Sequence, residues 1–330
     1  MSELHKFIFE GLPVRGSLVR LTDSWQEILH RREANSETGA YPAEVSGLLG
    51  QMAAAAVLMH SNIKFNGALV LQIFGSGPLK LAVVEVQADL SFRATAKTIG
   101  EVVPDSNLSQ MVNVNNQGKC AITLDPKDRF PGQQPYQGVV PLFDDFKHPI
   151  ESLSEVLEHY MLQSEQLDTK LILASNGDVA AGLLIQRLPV QGAGNLSAQG
   201  TRQDEDEIGR NEDYNRIAML ASTLSAEELL TLEPQAILHR LFWEEPLMRF
   251  EPLKGSTAPR FVCTCSRERV SRMIQGLGQE EADSILQERE DIEVGCDFCG
   301  RQYRFDAVDA AQIFMPVVAS PKAPGSDQLH

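Results

Sequence analysis

Four cysteines near the C-terminal end constrain this chain more than any other feature: Cys263 and Cys265 form a C-x-C pair, and Cys296 and Cys299 a C-x-x-C pair. Two short-spaced sulfur pairs, each on its own tight turn, can supply all four corners of a tetrahedral zinc-thiolate site. Such a site leaves no position open for a substrate water, which argues against metal-assisted hydrolysis. The expected cofactor is one Zn²⁺ per chain on Cys263, Cys265, Cys296 and Cys299 in the reduced state.

Zinc-bound thiolates are already deprotonated and therefore nucleophilic towards oxidants. In the C-x-C half only Thr264 separates the two sulfurs, which presses them together and readies them to pair once metal leaves. A redox switch and a purely structural zinc module are both open on these residues alone.

Charge and length narrow the choice. The chain has 330 residues and is 43% apolar, more than one typical domain and ample for a real core. Lys+Arg total 29 against 45 Asp+Glu, and the resulting net charge of -16 opposes the phosphate neutralisation that nucleic-acid binding needs. A zinc-ribbon nucleic-acid binder would explain the cysteines but meets this charge as an obstacle. The opening residues lack a basic region leading into an apolar stretch, and the apolar run Ala53–Met59 is too short to span a bilayer. The expectation is therefore a cytoplasmic protein with no membrane partner, where clustered thiols mean metal or redox chemistry before structural disulfides. The fifth cysteine, Cys120, stands alone and reads as a small core residue.

Residues 1–190 read as an α+β core domain with a mainly antiparallel sheet. Gly67–Phe74 and Leu79–Val86 are β-rich runs around Gly75-Ser76-Gly77-Pro78, a hairpin signature rather than a phosphate loop, because no Gly-Lys-Ser/Thr follows. Val45–Met59 has the content of a buried helix. Ser152 to Glu155 has capping-box spacing, with Leu153, Val156, Leu157, Tyr160 and Met161 on one helical face. Short strands are expected at Lys170–Ala174 and Ala180–Ile185 around Asn176-Gly177-Asp178.

Residues 191–260 read as a charged linker followed by amphipathic helices. Their stripes are Ile217, Leu220, Ala221 and Leu224, a helix opened by Ser225 to Glu228, and Ile237, Leu238, Leu241 and Phe242. Residues 261–316 form the small α+β zinc-binding module, with Phe261, Phe298, Tyr303 and Phe305 as its expected core, and 317–330 a disordered tail. Arg267, Arg269, Arg301 and Arg304 are candidates for stabilising thiolate charge. No catalytic site is expected: no Ser/His/Asp set, His-Glu-x-x-His or phosphate loop stands out among the 7 scattered histidines. A thiol-disulfide oxidoreductase using Cys296-Asp297-Phe298-Cys299 would place that motif at a strand-to-helix junction in a thioredoxin-like domain, not beside a second cysteine pair.

Across nearly its whole length the chain resembles the bacterial redox-regulated 33-kilodalton heat-shock chaperones, holdases of the HslO type. The stretches that carry the likeness are Cys263 to Arg269, Cys296 to Gly300, Glu165-Gln166-Leu167 with Thr169, Glu227 to Leu232, Gly75 to Leu79, and Tyr136 to Val140. A longer polar linker after Pro189, the insertion Lys254 to Thr257 and an extended tail depart from the pattern. The resemblance implies an ATP-independent chaperone, inactive when reduced and zinc-bound. Oxidation of its four cysteines would release the metal and bare apolar surface that captures unfolding proteins under oxidative stress. The expected partners are unfolding client proteins and, on oxidation, a second copy of the chain.

A physical route to that behaviour follows from the residues. Residues 261–315 are too few for a strong core, so roughly 10–16 kcal/mol of the module's folding free energy would come from metal. On zinc loss the module would unfold, and the preceding helices, expected to dock partly against it, would loosen. Four cysteines allow three pairings. Loop closure favours Cys263–Cys265 and Cys296–Cys299 by roughly 2 kcal/mol over cross-pairs, with ring strain opposing the former; the resemblance implies the same neighbour pairing.

Overall fold

The computed structural model describes residues 1–35, 38–130, 132–144, 146–189 and 211–315. The polar linker read after Pro189, with its acidic run, and the C-terminal tail lie outside the described residues.

The chain opens with β1 (Glu3–Phe9) and β2 (Val14–Leu21), then helices α1 (Asp23–Glu33) and α2 (Ala43–Ser61). A meander of β3 (Gly67–Phe74), β4 (Leu79–Val86) and β5 (Ser91–Thr98) leads through the short α3 (Leu108–Val112) to β6 (Lys119–Pro126) and β7 (Tyr136–Pro141). Next come α4 (Leu153–Glu165), β8 (Thr169–Ser175) and β9 (Ala180–Arg187). Helices α5 (Glu212–Ser222), α6 (Ala226–Thr231) and α7 (Pro234–Phe242) precede two short strands, β10 (Leu247–Arg249) and β11 (Arg260–Phe261). The chain continues with α8 (Arg267–Leu277), α9 (Gln279–Glu288), β12 (Ile292–Gly295), β13 (Gln302–Phe305) and α10 (Ala307–Phe314).

Two sheets and α2 make the main core. One sheet runs β10-β1-β2-β9-β8 and is antiparallel throughout; the other runs β11-β5-β4-β3-β6-β7 and is antiparallel except where β11 joins β5 in parallel. Helix α2 packs against strands of both sheets, and Ala53 to Leu58 are fully buried. A helix apolar all round has to lie inside, as the run at Val45–Met59 predicts. Close approach is needed too: a Cβ on Gly182 of β9 would sit 2.8 Å from Leu58 of α2.

The predicted hairpins and caps are present. Val70 of β3 faces Glu85 of β4, and Leu173 of β8 faces Gly182 of β9. Ser152 Oγ accepts from the Glu155 amide at the head of α4, and Ser225 and Glu228 form a reciprocal capping box on α6. Cys120 is fully buried on β6.

The sheet with β9 is covered on both faces, which explains why Ala180–Ile185 is continuously apolar instead of alternating. Its second face carries α5, α6 and α7, whose Ile217, Leu229, Ile237 and Leu241 bury with Phe7, Phe9, Leu18 and Leu183. Phe242 meets Phe9 edge-on at 5.1 Å and lies 6.1 Å from Phe7. Arg20 of β2 clamps this layer, donating to the Leu230 and Leu232 carbonyls at 2.7 Å each. The apolar stripes predicted for these helices are spent on the sheet.

The chain divides after Cys263 into two compact units, Met1–Cys263 and Thr264–His330. In the second, the hairpin β12–β13 packs with α8, α9 and α10 around Ile274, Ala282, Ile292, Tyr303, Phe305 and Ala310. Phe261 is a second correction. It lies on β11 at the edge of the first unit's sheet, paired with Phe92, and packs against the main core rather than the module's. Phe298 is half-buried on its turn and is not a member of the module's apolar cluster.

Candidate metal centre

Two local structures present the four thiols. Cys263 and Cys265 lie in the extended stretch between β11 and α8, just ahead of Ser266, whose side chain caps α8 by accepting from the Arg269 amide. Cys296 and Cys299 sit on the tight turn between β12 and β13. That turn is closed by Cys296 N–H to the Arg301 carbonyl (3.0 Å) and Gly300 N–H to the Cys296 carbonyl (2.8 Å). Gly300 has φ 71, a left-handed conformation that glycine adopts without a Cβ penalty.

The side-chain atoms of Cys263, Cys265, Cys296 and Cys299 all lie within 4.8 Å of one another. Cys265 Sγ and Cys299 Sγ are 3.4 Å apart. A tetrahedral zinc-thiolate centre with bonds of about 2.3 Å has sulfur–sulfur edges of about 3.8 Å. Four soft sulfur donors in this cluster therefore fit a closed metal site, with no water-bearing corner for hydrolysis.

Charge around the sulfurs involves Arg301, one of the four arginines the sequence suggests, and Arg93, which it does not. The pKa of Arg301 is raised first by its hydrogen bond with Tyr303, then by the charges of Tyr303, Cys265 and Cys299. Arg267 instead stacks on Phe305 at 4.2 Å, pairs with Asp309 at 2.6 Å and donates to the Arg304 carbonyl. Arg304 pairs with Glu293 at 2.8 Å, and Arg269 donates to Thr264 Oγ1 at 2.6 Å. These three act as struts for the module.

Two contacts to the thiols escape sequence reasoning. Tyr303 donates to Cys265 Sγ at 3.1 Å, and this bond is the first cause of the rise in its own pKa. Arg93 on β5 forms a part-buried ion pair with Glu85 (2.6 Å) and a side-chain hydrogen bond with Cys263. Although burial opposes its charge, these acidic partners raise its pKa overall. Arg93 is reached only because β11 pairs with β5 across a long sequence separation, which leaves no local signal.

The fold and site thus define a mixed α+β protein carrying a closed four-thiol cluster. The family model described as Hsp33 protein matches residues 2–306. The 33 kDa chaperonin of Chromobacterium violaceum is 45% identical over 94% of this chain and 93% of its own length. That of Methylobacillus flagellatus is 42% identical over 99% and 98%. A crystal structure of the 33 kDa chaperonin, Hsp33 homolog, of Thermotoga maritima superposes with TM-score 0.69 over 94% of this chain and 97% of that one, at 18% identity, a likeness of fold. The chain belongs to the Hsp33 family.

Among the described residues, no helix is long and apolar enough to cross a membrane.

Proposed function

We propose that this protein is a redox-regulated, ATP-independent holdase: reduced and zinc-bound it is inactive, and oxidation of Cys263, Cys265, Cys296 and Cys299 activates it. The observation that carries the reading is the gathering of all four thiols within 4.8 Å in a chain of the Hsp33 family. Bound Zn²⁺ would hold the four sulfurs as thiolates, making them reactive towards peroxide or hypochlorite at neutral pH. Each disulfide forms as two thiolates give up two electrons, and hydrogen peroxide takes them up with two protons to become water. Cys263–Cys265 and Cys296–Cys299 are the proposed products.

The module's own core is small, with Tyr303 and Phe305 as its buried aromatic residues. Without its metal it has little to hold it folded. Once it opens, the preceding layer of α5 to α7 is the element proposed to loosen. That motion would bare both the helices' apolar stripes and the face of the sheet built from Phe7, Phe9, Leu18 and Leu183. Unfolding client proteins would bind there by the hydrophobic effect, with no chemical step and so no enzymatic role. A cytoplasmic location and a homodimer in the oxidised state complete the proposal. A static zinc module serving a partner or nucleic acid is the alternative, and the net charge of -16 disfavours its nucleic-acid form.

Metal analysis of protein purified under reduction tests the reading. About one equivalent of zinc is expected, lost on oxidation together with free thiols. A reduced, metal-free protein with an ordered terminal module contradicts it.

A further inference from the structure

Beneath the C-terminal end of α2, Lys6 of β1 and Arg15 of β2 bring two positive charges together. Lys6 Nζ donates to the Ser61 carbonyl, and Arg15 Nη1 donates to the Asn62 carbonyl at 3.0 Å. Arg15 Nε and Nη2 both reach Gln186 Oε1, and Gln186 in turn donates to Thr169 Oγ1 at 2.8 Å. Burial lowers the pKa of both cations, and Arg15 lowers that of Lys6 further. Neither has an acidic partner among the described residues. A helix C-terminus supplies only about half a negative charge, so this half-buried pair keeps a net positive excess.

Arg15 also borders a cavity of about 90 Å³, together with Gln186. The remaining wall is mainly aliphatic, formed by Met59, Leu69, Ile122, Leu124 and Leu184. Glu165 touches the same space, but its carboxylate accepts from the Tyr160 hydroxyl at 2.8 Å. Each terminal nitrogen of Arg15 carries two N–H groups and donates to one protein acceptor, which leaves each with donor capacity for a carboxylate. The pocket is half-open, and its apolar interior has room for a short alkyl chain.

We propose that this cavity is a binding site for short-chain aliphatic carboxylates, with the carboxylate on the terminal nitrogens of Arg15 and the alkyl chain against Met59, Ile122 and Leu184. The site belongs to the first unit and does not depend on the thiol cluster or on the chaperone reading.

Titration of the full-length reduced protein with pentanoate, followed by methyl NMR, tests the proposal, with neutral pentanamide as the matched probe. Saturable shifts are expected at Met59, Ile122 and Leu184, with a dissociation constant on the order of 1 mM for a ligand of this size. Pentanamide should bind at least tenfold more weakly. Arg15→Lys keeps a positive charge for the α2 carbonyls but loses the two-pronged grip, and should weaken pentanoate several-fold in a folded protein. Ile63→Trp, at the partly exposed rim of the cavity, should block entry while leaving Arg15 in place. Absence of saturable shifts at those methyls, equal binding of pentanamide, or unchanged pentanoate affinity in both variants overturns the proposal.

Discussion

The Tyr303 hydroxyl donates to Cys265 Sγ at 3.1 Å, while its ring is buried in the module's core beside Phe305 and Ile292. One side chain therefore joins the packing of the module to the electron density on a cluster sulfur. Tyr303→Phe should preserve the fold and remove only the donor. A thiolate relieved of a hydrogen bond is the better nucleophile, so hydrogen peroxide should consume the free thiols several-fold faster. Unchanged or slower thiol loss would mean that the bond does not govern reactivity.

Cys120 lies apart from the four-thiol cluster, fully buried on β6. Complete burial pushes its pKa from 9.0 up to about 12. Below pH 9 the thiol is protonated in both folded and unfolded chains, and its contribution to stability is fully present. Between about pH 9 and 12 only the unfolded chain ionises, so stability falls as pH rises, by up to about 4 kcal/mol. Cys120→Ala should flatten that alkaline decline in urea-melt series at stepped pH, and iodoacetamide should label Cys120 only after denaturation. Rapid native labelling would contradict both expectations.

Phe242 locks α7 to the sheet through Phe7 and Phe9. Its replacement by alanine should cost about 3–5 kcal/mol, as for a large buried aromatic ring. Hydrogen exchange should then accelerate over residues 212–242 while α4 stays protected, and the reduced protein should acquire part of the oxidised form's ability to prevent aggregation. Uniform loosening of the first unit, or loosening without such activity, would remove this helical layer from the proposed switch.

Much of this architecture is written locally. The Gly75 to Pro78 turn between β-rich runs, the Ser152 and Ser225 caps and the cysteine spacing each sit within a few residues of what they specify. Phe261 misleads because its surroundings in sequence are the module's, whereas its strand pairs with Ser91 and Phe92, far back in the chain. The stripes on α5 to α7 announce amphipathic helices without naming the surface they cover, since periodicity fixes a face and not its partner. Arg93 and Tyr303 carry no motif at all. A basic residue near a cysteine in sequence is a poor guide when Arg267 is committed to Asp309 and Phe305.

Disulfide pairing reports whether the module opens as it oxidises. In the folded module the sulfurs of Cys265 and Cys299 are 3.4 Å apart, so oxidation in place has a cross-pair within reach. Opening first would favour the neighbours Cys263–Cys265 and Cys296–Cys299, by roughly 2 kcal/mol in loop closure. Trypsin, cutting after Arg272 and Arg289, should leave the two cysteine peptides separate on a non-reducing mass map. Covalently joined peptides as the main product would show that the module stays folded during oxidation.

The central claim is tested most directly by one time course, in which reduced, zinc-loaded protein is exposed to oxidant and sampled for released zinc and for suppression of light scattering by a chemically unfolded client. The account predicts that both rise together, and that reductant with added zinc returns the protein to its inactive form. Full suppression by the reduced, zinc-bound protein, or zinc release that leaves suppression unchanged, would contradict it.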